Sequence, residues 1–160
     1  MSALAAPADA LTVASDLLGP LEVAPEARYH FAAGLYGFAE ARDFALVPVG
    51  PEGLWWLQSC EAPGLVLLVA DPFRFFPDYA PDVPDAELAQ LGGEVPGRRG
   101  RAPAVGDVAL FAVVTLPGAG AATASANLRA PLVVDTRARR GRQVVLPAER
   151  RGVCEPIALG

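Results

Sequence analysis

Short apolar runs separated by proline or glycine recur at intervals of roughly ten residues, the rhythm of an all-β sandwich or barrel. Leu11–Ala14 and Leu21–Val23 flank Gly19-Pro20 and read as an opening hairpin. Arg28–Ala32 alternates and runs into Gly34–Phe38 (GLYGF), whose glycines suit a turn that needs positive φ. Phe44–Val49 is a strand closed by Pro48, Gly50 and Pro51. Leu54–Ser59 and Leu65–Ala70 form a hairpin about Glu61-Ala62-Pro63-Gly64, with proline well placed for a type I or II turn.

Two runs lack a polar face. Gly64–Ala70 is apolar on both sides, which predicts a central strand covered twice, and Asp107–Leu116 is a second, longer run of this kind. Pro131–Asp135 and Arg142–Leu146 make the last hairpin, turning through the basic Arg137–Gly141. The one helix predicted is Pro84–Leu91, with Asp82 as candidate cap, Pro84 in the first turn and Gly92 at the end. Gly93–Pro103 and the Gly/Ala/Ser tract Pro117–Ala126 read as mobile loops. The pattern therefore predicts an all-β, mainly antiparallel, compact barrel-like domain with one short helix at about 84–91. Residues 1–10 form a flexible start, 11–155 the domain and 156–160 a tail.

Composition narrows the class. At 160 residues with 52% apolar side chains the chain can bury a core without disulfide or metal staples. No apolar stretch approaches the roughly 20 residues of a spanning helix, and the acid-bearing start is a poor signal peptide, so no membrane partner and a cytoplasmic location are expected. The net charge of −5 is uneven: residues 1–95 carry 14 acids against three arginines, and residues 96–160 carry ten arginines against four acids. Lysine is absent. An acidic first half is a docking face for a basic partner.

Candidate chemistry is sparse. Cys60 and Cys154 lie in no metal-type spacing and read as small buried hydrophobes. The single histidine, His30, sits within a strand-like run and reads as a hydrogen-bonded strand residue rather than a general base. Asp78, Asp82 and Asp85 are interrupted by prolines and read as solvated loop carboxylates rather than a calcium loop. No catalytic residue, cofactor site or metal site is predicted. Trp55 and Trp56, adjacent in a strand, must point to opposite faces. Asn127 is expected to close a loop on backbone before Pro131.

Four blocks go further: GLYGF at 34–38, LQSCEAPGLVLLVADPFRFFPDY at 57–79, PDAELAQLG at 84–92 and SANLRAPLVVDTRARRGRQVVL at 125–146. In this order, over about Leu11 to Leu146, they resemble the flagellar assembly factor family FliW. The resemblance implies a compact barrel-like β fold without catalytic activity. It also implies two protein partners, the RNA-binding translational repressor CsrA and flagellin, exchanged in a partner switch that controls flagellin synthesis. No direct nucleic-acid contact and a monomeric free state are expected. The candidate contact residues are the carboxylates Asp71, Asp78, Asp82, Asp85 and Glu87, with Phe73, Phe75, Phe76 and Tyr79 supplying area. The rival reading is a small β-barrel that binds RNA directly through Arg98–Arg101 and Arg137–Arg142.

Overall fold

The computed structural model describes residues 10–50, 52–92, 103–117, 123–146 and 151–159. Eleven strands are described: β1 (Leu11–Val13), β2 (Leu21–Val23), β3 (Arg28–His30), β4 (Asp43–Pro48), β5 (Leu54–Ser59), β6 (Val66–Ala70), β7 (Val108–Thr115), β8 (Ala124–Ala126), β9 (Leu132–Asp135), β10 (Arg140–Gln143) and β11 (Glu155–Ile157). The helices are a single turn, α1 (Pro72–Phe75), and α2 (Asp85–Gly92).

Strands β7-β6-β5-β4-β3-β10-β9 are neighbours in that order, and β9 pairs back onto β7, so seven strands close into a barrel. Every pairing is antiparallel except β3–β10, which is parallel and consists of the single pair Arg140↔His30. Strand β7 serves two partners in turn. Val108–Phe111 pairs with β9 in the wall, whereas Val114 and Thr115 pair with β8, which carries β11 outward.

Side-chain alternation explains how this small cylinder is filled. Phe44, Trp55, Leu57, Val69, Phe111, Leu132 and Val134 share one interior cluster, to which Phe31 adds an edge-on contact with Phe44 at 5.6 Å between ring centroids. The alternate residues face out, and three separate pieces of chain cover them. The β1–β2 hairpin places Val13 and Val23 over Ala45. Helix α2 places Leu91 and Leu88 over Val133, Val144 and Leu146. The β8–β11 flap and the segment after β6 cover Leu54, Leu68, Ala70, Ala112 and Val114. Strand β6 is therefore apolar on both faces because both faces are buried, as its composition predicts. The two tryptophans divide in the same way: Trp55 packs with the interior set, edge-on to Phe111 at 5.1 Å, and Trp56 with the outer set.

Some expectations need correction. The last hairpin does not run 142–146; pairing begins at Arg140↔Asp135. The buried Asp135 carboxylate accepts from Arg137 N–H at 3.0 Å and Ala138 N–H at 3.1 Å, tightening the turn so that the return strand starts two residues early. Arg139 takes φ 54°, the left-handed region where a side chain is uncommon. Ala124–Ala126, read as loop, is a strand, and β11 carries the domain to Ile157, past the expected boundary at 155. Pro72–Phe75, which carries no helical period, forms a helical turn because Asp71 caps it and Pro72 starts it. Helix α2 begins at Asp85 because the Pro84 carbonyl is the first to accept, from Glu87 and Leu88. Residues 1–9 and the Gly93–Ala102 stretch lie outside the described residues.

One glycine is compulsory for closure. A Cβ on Gly141 would stand 2.4 Å from the Phe31 ring, so only glycine lets β10 approach the interior at this point.

Candidate docking face

The predicted site begins where β6 leaves the barrel. Asp71 caps the α1 turn, its carboxylate accepting from Phe73 N–H at 3.0 Å, and Pro72 occupies the first helical position. The turn sends the following aromatics in different directions. Phe73 is 46% exposed. Phe75 and Phe76 are half-buried against the outer cluster.

Tyr79 departs from the expectation. It is 5% exposed, and its hydroxyl donates to the Leu128 carbonyl at 2.6 Å, so it is a core residue that offers no area to a partner. Its ring lies 5.7 Å from that of Phe73, which continues the core to the surface.

Arg151 fastens this segment from the far end of the chain. Its guanidinium lies 5.5 Å from the Phe76 ring centre, and Nη2 donates to Asp78 Oδ1 at 2.5 Å. Glu155 faces the same guanidinium at 3.6 Å. Asp78 nevertheless leaves 80% of its side chain in solvent, so its ion pair is worth at most about 1 kcal/mol. Asp82 and Asp85 are exposed, Asp85 in the first turn of α2, where the helix dipole favours a negative charge. Glu87 faces the barrel instead and accepts from Arg142 Nε at 2.5 Å. The predicted set thus separates. Asp78, Asp82, Asp85 and Phe73 are exposed, whereas Asp71, Glu87, Phe75, Phe76 and Tyr79 are partly or fully buried in contacts within the fold. Nothing local in the sequence marks Arg151, because only the fold brings it to Phe76 and Asp78.

A second feature lies along the β3–β10 seam. A groove of about 530 Å³ is lined in part by Tyr29, His30, Asp43, Cys60 and Arg139. His30 Nδ1 is 2.8 Å from Asp43 Oδ1, directly across from it on the neighbouring strand, as a hydrogen-bonded strand histidine should be. Cysteine, histidine and aspartate in one groove invite a nucleophile reading. Burial, helped by Asp43 and Glu61, pushes the Cys60 thiol up to about 11, and the neutral thiol is a poor nucleophile. Burial also raises the Tyr29 phenol, partly opposed by Arg139. Cys154 is exposed, contrary to expectation.

Among the described residues, no three His, Cys, Asp or Glu side chains stand close enough to hold a metal ion. Of the arginines assigned to the RNA reading, Arg98, Arg99 and Arg101 lie outside the described residues, and Arg142 is engaged by Glu87. Asn127 closes its loop as expected, its side-chain oxygen accepting from Arg129 N–H at 3.1 Å and Ala130 N–H at 3.0 Å. No described helix is long and apolar enough to cross a membrane.

The family model described as FliW protein matches residues 12–157, from the covering hairpin to the last strand. The chain belongs to the FliW family. The flagellar assembly factor FliW of Symbiobacterium thermophilum is 37% identical over 134 residues, 82% of this chain and 90% of that protein. That of Treponema denticola is 33% identical over 136 residues, 85% of this chain and 86% of its own length. A crystal structure of the flagellar assembly factor FliW superposes with a TM-score of 0.74 at 29% identity, covering 91% of this chain and 96% of the other. The seven-strand barrel with its one full helix is thus a FliW fold, and β8 and β11 belong to it rather than to a loop and a tail.

Proposed function

We propose that this FliW-family chain is a non-enzymatic, cytoplasmic regulator of flagellum assembly that binds CsrA and flagellin in turn. Bound to CsrA it relieves repression of flagellin mRNA; bound to flagellin it leaves CsrA free to repress. Membership of the family along residues 12–157 carries this reading. A protein that holds RNA presents basic surface, and the exposed carboxylates of Asp78, Asp82 and Asp85 have the charge to complement it.

The test reverses charge where the fold does not need it. Asp78→Arg with Asp82→Arg should abolish CsrA binding in a calorimetric titration. The melting temperature should fall by no more than the loss of one exposed ion pair allows, about 1 kcal/mol. Undiminished CsrA affinity in a folded double variant would remove these carboxylates from the interface.

A further inference from the structure

The GLYGF turn lies at the end of the barrel opposite the acidic exit, because β3–β4 and β5–β6 connect at one end and β4–β5 at the other. It exposes two aromatics, Tyr36 at 62% and Phe38 at 42%. They are not on a loose loop. Gly34 and Gly37 take φ of 68° and 87°, and Leu35 and Phe38 exchange backbone hydrogen bonds at 3.2 and 2.8 Å. Leu35 is buried as an anchor, and Gln143 Oε1 accepts from Tyr36 N–H at 2.9 Å. A Cβ on Gly34 would stand 2.4 Å from the Ala39 carbonyl oxygen, so the turn folds tightly on its own return.

Phe38 lines a hollow of about 550 Å³, whose other apolar lining includes Ala41, Ala62 and Leu65. Among the described residues its charged lining groups are Glu40 and Glu61, both exposed. Glu61 is fixed by accepting from Arg42 N–H at 2.8 Å and Asp43 N–H at 2.9 Å. Arg42 is exposed on the same loop but is not among the residues lining the hollow.

We infer that this hollow is a second docking site, for a segment of a partner protein that presents a large apolar side chain flanked by lysine or arginine. The apolar lining of the hollow takes the side chain, and Glu40 and Glu61 face its basic neighbours. A turn already fixed by two positive-φ glycines and the Gln143 bond gives up little freedom on binding, which is where an exposed aromatic contributes most. Two separated sites allow one partner to be held while another is exchanged, and this assignment stands whether or not the acidic exit binds CsrA.

A random-peptide phage library selected against the full chain tests it. Enriched peptides should carry Phe, Leu or Trp between Lys or Arg and shift the amide resonances of residues 37–41 and 61–65. Tyr36→Ala with Phe38→Ala, and separately Glu40→Lys, should each weaken the best peptide at least about tenfold with an unchanged melting temperature. The assignment is overturned by failure to enrich any peptide, by winners without basic residues, by equal binding to both variants, or by shifts confined to residues 73–87.

Discussion

Phe73–Tyr79 and Gly34–Phe38 both crowd aromatics beside turn-forming residues, yet Tyr79 is buried and bonded to the Leu128 carbonyl whereas Tyr36 and Phe38 stand in solvent. The difference comes from what each segment must cover. The exit from β6 crosses the outer face of Leu68 and Ala70, and its rings are the nearest apolar material to close it. In the GLYGF turn Leu35 joins the interior cluster, whereas Tyr36 and Phe38 belong to no core cluster among the described residues. Aromatic density along a sequence is therefore a poor guide to a docking surface. What separates the two is whether the turn aims the ring at an uncovered sheet face.

The sharpest way to break this contrast is Tyr79→Ala. Removing a buried ring should cost about 3–5 kcal/mol. For a chain of this size that corresponds to roughly 10 °C in melting temperature by calorimetry. A drop of only a degree or two would put Tyr79 back among the surface residues. Gly34→Ala comes next. It forces a side chain into positive φ against the Ala39 carbonyl, which should cost about 1–3 kcal/mol in denaturant unfolding. A neutral result would mean that the turn is free to rearrange, and the second docking site would lose its rigidity.

The smallest effect concerns the two thiols, one at each end of the comparison. Cys60 directly precedes Glu61 and Ala62, which line the hollow, and exposed Cys154 follows Arg151 by three positions in the chain. With its thiol held up at about 11 against an ordinary 9.0, native Cys60 carries ~100-fold less thiolate near pH 8 and should alkylate far more slowly than Cys154. The linkage has a definite sign. The unfolded thiol ionises first as pH rises, so the Cys60 contribution to stability is intact below pH 9 and is lost as pH climbs through 11. Equal alkylation rates in mass spectrometry of the folded chain would show that the hollow end opens to solvent.

The parts of the fold legible in the sequence are those with local causes. The β4–β6 meander follows from alternation and the Pro63-Gly64 turn, and α2 from Pro84 and Gly92 around Leu88 and Leu91. Strands β8 and β11 were illegible because three residues such as Ala-Ser-Ala carry no period; their pairing is imposed by the end of β7. The start of β10 was misplaced because a buried carboxylate, Asp135, sets the turn, and burial is not a local property. The same holds for the candidate site. Asp78, Asp82 and Asp85 are exposed as their proline-rich setting suggests, whereas the inward course of Tyr79 depends on Leu128, far along the chain. The exposed pair Tyr36 and Phe38 does have a local signal, Gly34 and Gly37, the positive-φ glycines of the turn that presents a ring on either side of Gly37.

The β3–β10 contact has a mechanical meaning. Six of the seven lines between wall strands are stitched antiparallel by several residue pairs, and the seventh by one, with His30 N–H donating to the Arg139 carbonyl at 2.9 Å. A cylinder joined this way behaves as a rolled sheet with a latch. Strain on the molecule should release first along that line, which would unroll the wall between the Phe31 ring and Gly141 and leave the meander of β4 to β6 whole.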